Sequence, residues 1–464
     1  MTAIKQPQRE LPPEVVARAM DRAAGGRPIP GNRMTLLFDG PQIYPAMLER
    51  IAAATAWIHL DSYIIRSDAT GRRFADALIE RAQAGVKVRI LSDWLGSIST
   101  RPSYWRRLRN AGASVRLFNP PSLFHLSRNL TRDHRKLLVV DGSTAVTGGH
   151  CVGNEWTGKP EEGRQPWRDT AIAIDGPAAA AIDSAFSGVW RLTGPTLDPA
   201  ELASDSPVQG DQEVRILAGE PGGVRASRAT ELLLAGAAER AWITDAYFVA
   251  PRDIYQSLLD AARGGVDVRL LVPGTSDLTH VQNLTRSGYR ELLEAGVRIF
   301  EWRGPMLHAK TIVVDGRWVR VGSTNLNLSS LLANYEIDVL ADGVGIAQTM
   351  EAQFRRDLER SVEIRYRGTE VRRRRRDLEA LLPAPQEAAR HHPGLRERRR
   401  RAAVALWAVV AGARRTVFLQ YSLALTSIGV LFLFFPRTMA AIFAGLTLWL
   451  AIASWLETWS PRRD

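Results

Sequence analysis

Two copies of one pattern, written end to end, limit what this chain can fold into more than any other feature. Read from residue 34, the sequence runs MTLLFDG, then PAMLERIAAATAW with helical character, then the strand-like IHLDSYII. Read from residue 213, it runs EVRILAG, ATELLLAGAAERAW and ITDAYFV. The echo continues through VKVRILSD and VDVRLLVP, then AGASVRLF and AGVRIF. It ends in HRKLLVVDG (134–142) and HAKTIVVDG (308–316). Tyr63 falls level with Tyr247, and Gly85 with Gly265. A period this long indicates duplicated domains and not a solenoid of short units. Within each copy, apolar β-branched runs alternate with helical patterns, which predicts mixed α/β units around a largely buried sheet. The expected divisions are an N-terminal extension (1–33), a first domain (34–205) and a second domain (206–365). The stretches 162–166 and 197–213 read as loops, the latter as the linker.

The closing motif carries the reactive side chains. Side chains alternate along a strand, so His134 and Lys136 share a face, as do His308 and Lys310. LLVV and TIVV read as buried strand, and Asp141-Gly142 and Asp315-Gly316 as hairpin turns. With two residues in each turn, the returning strand sets Gly149 opposite His134 and Ser323 opposite His308, with Asn325 on the same face. Lys5, Lys87, Lys136, Lys159 and Lys310 are the only lysines, yet two of them occupy the same slot of the two copies. A purely structural hairpin would accept arginine there, and this chain uses arginine freely elsewhere. Asp141 and Asp315 lie an odd number of steps from their histidines, which puts them off the shared face and makes them more structural than chemical.

The formal net charge of +12 calls for an anion, which could be nucleic acid, an anionic membrane or a phosphorylated substrate. The single cysteine, Cys151, excludes an internal disulfide and cysteine-based zinc sites. Residues 1–33 contain no apolar run before a small-residue cleavage site, so no secretory signal is expected. Two uncharged runs, 416–435 and 438–456, are separated only by Pro436 and Arg437. A twenty-residue helix is roughly 30 Å long, about the hydrocarbon thickness of a bilayer. The sequence therefore predicts a C-terminal transmembrane helical hairpin within a membrane-associated region (402–459), after a basic juxtamembrane segment (366–401). Arginine clusters at 371–377 and 396–402, and PRRD at 461–464, place both ends of the hairpin in the cytoplasm. Arginines beside an anionic leaflet contribute about 1 kcal/mol each.

HxKxxxxD followed by a glycine-rich turn, present twice, resembles the signature of the phospholipase D superfamily. NRMTLLFDG, HLDSYIIRSDATGRRFADALIERAQAGVKVRIL, PWRDTAIAIDGPA, and HAKTIVVDGRWVRVGSTNLN with NYEID resemble its bacterial cardiolipin synthase branch, over roughly residues 30–365. The C-terminal position of the hairpin departs from the common arrangement, in which membrane segments precede the catalytic domains. The resemblance implies two duplicated phospholipase D-like α/β sandwich domains, each with a mixed sheet, facing one another across a single cleft. It implies that one histidine attacks the phosphorus of a phosphodiester and forms a phosphohistidine. The other histidine protonates the departing alcohol and then activates the incoming one.

The motif residues His134, Lys136, Asp141, His308, Lys310 and Asp315 then form the implied catalytic set. His134 is the implied nucleophile and His308 the implied acid/base, although the sequence itself leaves the two symmetric. Lys136 and Lys310, with Asn325 and Ser323, would stabilise charge on the non-bridging oxygens, each such donor contributing a few kcal/mol. Asp169 of WRDT and Glu336 of NYEID match the acids that orient the histidines. No cofactor or metal is implied. Where the second copy reads GSTN the first reads GGHC, so Cys151 stands at the place of Asn325. A thiol is a poorer donor than an amide; either the first half makes fewer phosphate contacts, or Asn154 or His150 compensates. His59, His125 and His280 fall outside the motifs and read as packing or surface residues. Tyr63 and Tyr247 could line the cleft, although paired tyrosines at repeat positions are more often core.

The implied activity is a cardiolipin synthase-type phosphatidyl transfer from phosphatidylglycerol with release of glycerol. Its partners would be anionic phospholipids (phosphatidylglycerol, cardiolipin) and the membrane, with no nucleic acid. Both half-sites lie in one chain, so an oligomer is not required for catalysis. The implied location is a bacterial inner (cytoplasmic) membrane, with the catalytic domains facing the cytoplasm. A phospholipase D hydrolase giving phosphatidic acid, or a phosphodiesterase or nuclease of the same superfamily, would use the same residues. A non-enzymatic scaffold fits poorly with an intact set of His134, Lys136, His308, Lys310, Asn325, Asp169 and Glu336.

Overall fold

The computed structural model describes residues 13–121, 131–158, 162–203, 206–367 and 370–373. The expected membrane region (402–459), most of the basic segment before it, and His125 lie outside these residues. Among the described residues no helix is long and apolar enough to cross a membrane.

After helix α1 (Pro13–Ala24), the first half runs β1 (Ile29–Phe38), α2 (Asp39–Ala53), β2 (Trp57–Ser62), α3 (Ala69–Gln83), β3 (Lys87–Asp93), α4 (Pro102–Asn110) and β4 (Ser114–Phe118). It continues with β5 (Lys136–Val140), β6 (Thr144–Gly148), α5 (Asn154–Thr157), β7 (Thr170–Asp175) and α6 (Ala178–Trp190). The second half repeats this: β8 (Gln212–Gly219), α7 (Arg225–Ala235), β9 (Arg240–Thr244), α8 (Arg252–Arg263), β10 (Asp267–Pro273), α9 (Thr279–Ser287), α10 (Tyr289–Glu294) and β11 (Arg298–Trp302). There follow β12 (Thr311–Val314), β13 (Trp318–Gly322), β14 (Glu336–Asp342), α11 (Val344–Glu359), β15 (Ser361–Arg367) and β16 (Glu370–Arg373). Local chemistry sets several boundaries. The Asp68 carboxylate accepts the Gly71 N–H at 2.9 Å and caps α3. Gly85 and Gly265, both with positive φ, turn the chain from α3 and α8 into the next strand.

The halves share one strand order, β1-β7-β6-β5-β2-β3-β4 and β8-β14-β13-β12-β9-β10-β11. In each, three strands are parallel and the rest antiparallel, which is the mixed α/β arrangement expected. The halves do not keep separate sheets, however. β1 pairs with β8 across the seam, giving one sixteen-stranded sheet. The pairing is short and irregular, through Ile29↔Val214 and Asn32↔Gln212.

Each half buries its own outer face. Ile43, Phe74, Leu78 and Tyr104 cover the first, and Leu233, Leu258, Leu259 and Leu292 cover the second. The opposite face is a common core in which α6 (Ile182, Phe186) and α11 (Met350, Phe354) join residues of both halves. Two borders differ from expectation. α1 is no separate extension: Met20 and Ala24 enter the second half's core, and Asp21 pairs with Arg215 at 2.6 Å. The far edge also runs past residue 365, through β15 and β16.

The two motif hairpins depart from the two-residue turns expected. Val140 pairs with Thr144 and Val314 with Trp318, so each connection holds three residues. Asp141 and Gly142, and likewise Asp315 and Gly316, have positive φ. Ser143 N and Arg317 N close back on the carbonyls of Val140 and Val314 at 3.1 and 3.0 Å. The cause is the aspartate. Asp141 accepts the N–H groups of Thr55, Ala56 and Trp57, each at 2.8 Å. Asp315 accepts those of Ala238, Glu239 and Arg240 at 2.8–2.9 Å. Each carboxylate thus staples its hairpin to the start of the neighbouring strand, β2 or β9. The one-residue shift takes Gly149 and Ser323 out of register with the histidines.

Candidate active site

His134 and His308 sit just before β5 and β12, and each is fixed by backbone from the other half. His134 N donates to Tyr335 O at 2.9 Å, and His308 N to Arg168 O at 2.7 Å. These contacts belong to two parallel bridges, Asp133↔Tyr335 and Arg168↔Leu307. Next to each accepting residue is the orienting acid, so the pairs cross between halves. His134 Nδ1 donates to Glu336 Oε1 at 2.9 Å, and His308 Nδ1 donates to Asp169 Oδ2 at 2.9 Å. With Nδ1 spent on a carboxylate, Nε2 of each ring is left for chemistry. Lys136 and Lys310 are buried and donate to the carbonyls of His134 and His308.

The site is nearly closed: side-chain exposure is 13% at His134 and 6% at His308. Burial pushes His134 well below the usual imidazole range, and Lys136 and then Lys310 add to the push. Burial, then the Lys310 ammonium, brings His308 down to about 4 against the pull of Asp169. Lys310 itself falls to about 8, first through burial and then, against the opposing pull of Asp169, through the charge of Lys136. The lysine of each motif thus acts on groups of the other, as expected of one shared site. The two acids differ. Burial pushes Asp169 up, but the His308 hydrogen bond and the charges of His308 and Lys310 outweigh it and hold the carboxyl far below its ordinary range. Burial dominates at Glu336, which rises to about 7. An anionic phosphodiester between the lysines would offset their charge and raise both histidines toward neutrality.

Several motif residues serve the scaffold of the site. Asp141 and Asp315 stand at the far ends of their strands, roughly 20 Å from the histidines at 3.3 Å per residue, and hold hairpins together. The Ser323 hydroxyl donates to Glu336 Oε2 at 2.5 Å, so it braces the orienting acid and its proton is not free for a phosphate oxygen. Its counterpart Gly149 has a related reason: a Cβ there would lie 2.2 Å from Asp169 Oδ1. Asn325 is buried beside Ser330 at 3.4 Å, and its Oδ1 has no partner. A phosphate oxygen, itself an acceptor, would be served by the amide's NH2 group and not by the unpartnered Oδ1. Among the described residues of the first half, Cys151, Asn154 and His150 stand at the places weighed for a replacement. Cys151 is buried. Asn154 accepts from Thr70 N and Oγ1 at the start of α3. His150 is buried with Nε2 3.1 Å from Met47 Sδ. His59 is core, bonded to Asp183 at 2.5 Å and stacked on Phe186; His280 is exposed on α9.

The structure adds residues that the motif does not single out. Tyr63 packs edge-on against His134 at 5.0 Å, and Tyr247 against His308 at 5.9 Å. Both are half-buried, so the repeat tyrosines line the site. Trp156 and Trp167 flank His308 at 5.5 and 5.7 Å, and Trp156 Nε1 donates to Asp169 Oδ2 at 2.8 Å. Arg168, buried, donates through Nε to Asp357 of α11 at 2.9 Å and through Nη1 to Asp39 at 3.4 Å. Its position directly before Asp169 was the one signal for this in the sequence.

A family model described as cardiolipin synthase, PLD-like domain, matches residues 47–189 and again 232–358, one match per half. A cardiolipin synthase of Geobacillus sp. (strain WCH70) is 34% identical over 342 residues, covering 71% of this chain and 67% of that one. Cardiolipin synthase A of Pseudomonas aeruginosa is 34% identical over 352 residues, covering 75% and 71%. Among solved structures, phosphatidylserine synthase of Haemophilus influenzae shares the fold with a TM-score of 0.59 at 16% identity, over 77% of this chain and 92% of that one. With two family matches on the two halves that build one histidine site, the chain belongs to the phospholipase D superfamily and is an enzyme of its cardiolipin synthase-like, phosphatidyltransferase kind.

Proposed function

We propose that the protein transfers a phosphatidyl group from one phosphatidylglycerol to another, forming cardiolipin and releasing glycerol through a phosphohistidine. The observation that carries this is the crossed arrangement: two histidines, each bonded to the other half's carboxylate, with a buried lysine donating to the carbonyl of each. In this reading His134 Nε2 attacks phosphorus and His308 gives a proton to the departing glycerol oxygen. His308 then takes the proton of the incoming alcohol as that oxygen displaces His134. Lys136, Lys310 and Asn325 hold the non-bridging oxygens, where preorganised donors are worth a few kcal/mol each. One phosphodiester replaces another, so no nucleotide is needed.

The lipid substrate, the uncharged runs at 416–435 and 438–456, and the arginine clusters before them support anchoring at a bacterial inner membrane with the site on the cytoplasmic side. Both half-sites come from one chain, so the reaction does not require an oligomer, and a bilayer anchor speaks against nucleic acid as substrate. Detergent-purified protein with phosphatidylglycerol vesicles, without metal or nucleotide, tests the proposal by lipid mass spectrometry. Cardiolipin with matching glycerol, abolished by His308→Ala, is expected. Phosphatidic acid alone would make the protein a hydrolase instead.

A further inference from the structure

Besides Gly149/Ser323 and Cys151/Asn325, the two copies diverge at a further position beside the chemistry. Trp167 is two residues before Asp169, and Asn334 is two residues before Glu336. The acids are the matched orienting residues of the two histidines, so Trp167 and Asn334 occupy equivalent places. The Trp167 ring lies 5.7 Å from the His308 ring, tilted by 38°, and rests on Trp156 at 4.8 Å. Trp156 is fully buried and tied to Asp169, while Trp167 keeps part of its surface accessible. Tyr247 supplies a third ring. At the other copy, Asn334 is buried and its Oδ1 has no partner, and among the described residues the ring against His134 is that of Tyr63. Among the described residues, His308 therefore lies among three aromatic rings and His134 beside one.

We propose that Trp167 walls the acceptor side of the site against water, so that the phosphatidyl group passes to an alcohol instead of being hydrolysed. This rests on the transferase reading above. In the second half-reaction the acceptor oxygen forms its P–O bond as the P–N bond to His134 breaks. The electron pair of that bond stays on the imidazole, and the acceptor's proton goes to His308. Water can complete the same step and yields phosphatidic acid. The choice is therefore made by what can stand beside His308. An indole face offers no hydrogen-bond acceptor and one donor at its edge. A lone water confined against it leaves hydrogen bonds unmade. A glycerol headgroup covers the ring with its C–H groups while its hydroxyl reaches His308.

The test uses the full-length protein in detergent with phosphatidylglycerol vesicles, reading cardiolipin and phosphatidic acid from the same reaction by mass spectrometry. The readout is their ratio, which does not depend on the amount of active enzyme. Trp167→Ala is expected to raise phosphatidic acid relative to cardiolipin on the order of tenfold, the scale on which filling an apolar pocket discriminates. Trp167→Phe, which keeps a ring, should restore most of the wild-type ratio. If Trp167→Ala does not fold, Trp167→Leu is read the same way. An unchanged ratio, or an equal fall of both products, would overturn the wall while leaving the transferase reading intact. Wild-type protein that makes only phosphatidic acid would overturn both.

Discussion

Asp169→Asn is the substitution whose consequences the site defines most closely. Asp169 Oδ2 accepts from His308 Nδ1 at 2.9 Å and from Trp156 Nε1 at 2.8 Å, while Oδ1 accepts the Thr170 N–H at 2.8 Å. All three partners are donors. An asparagine must turn its NH2 group toward one side, placing donor against donor in a buried setting, at a cost of about 1–3 kcal/mol of stability. The effect on chemistry is larger. When His308 takes a proton on Nε2, its new charge faces a carboxylate held ionised. Unit charges about 4 Å apart interact by about 4 kcal/mol at an effective dielectric of about 20. At 1.36 kcal/mol per decade, removing that charge should slow turnover about 10³-fold. The assay is cardiolipin formation from phosphatidylglycerol vesicles, with urea unfolding of the same preparation. Because Asp169 acts through His308, Asp169→Asn should bring little further loss in a His308→Gln background. A folded Asp169→Asn protein within tenfold of wild-type turnover would refute the crossed-pair account.

Further consequences concern the surroundings of the site. Arg168→Met leaves Asp357 buried without its charged partner, with the Gln353 amide still bonded to it, and should destabilise the protein by about 3–5 kcal/mol in urea unfolding. Gly149→Ala puts a methyl 2.2 Å from Asp169 Oδ1; turnover should fall at least about a hundredfold if the acid moves even an ångström, with circular dichroism unchanged. Asp141→Ala removes the acceptor of three backbone N–H groups and should cost about 1–3 kcal/mol of stability, while the folded fraction keeps its kcat. On pH, Lys310 sits near 8, so kcat/KM should decline on the alkaline side around pH 8, and Lys310→Arg should carry that limb upward. His308 is lowered from 6.5 to about 4. The unfolded chain therefore binds the extra proton first, and stability is full above about 6.5 and lost as pH falls toward 4, by about 3 kcal/mol from this group. Glu336, raised to about 7, acts oppositely: its contribution is full below about 4.5 and lost as pH rises toward 7. His308→Gln should flatten the acid-side loss in unfolding experiments.

What the sequence made legible was mostly local. The duplication, the strand–helix alternation, and the histidine and lysine on one face all follow from neighbouring residues, and the structure has them. The hairpins were legible except for their length, because the third turn residue depends on where Asp141 and Asp315 find their N–H partners, tens of residues upstream. The crossing of the acids was not legible at all. Asp169 and Glu336 each follow their own half's motif in sequence, and only the parallel bridges at Arg168 and Tyr335 hand each acid to the other histidine. Tyr63 and Tyr247 could be read from the sequence as either cleft or core, Trp156 and Trp167 had no signal of their own, and only packing against the histidines distinguishes them. The docking of α1 onto the second half likewise has no signal within its own twelve residues beyond an amphipathic pattern.

The central claim, that two half-sites act on one phosphate through a covalent histidine, is tested most directly by quenching the full-length enzyme in acid-free denaturant during turnover on phosphatidylglycerol and mapping adducts by peptide mass spectrometry. The account predicts a phosphatidyl group on one histidine only, His134, disappearing as substrate is exhausted. Steady cardiolipin production with both His134 and His308 unmodified at every time point would contradict it.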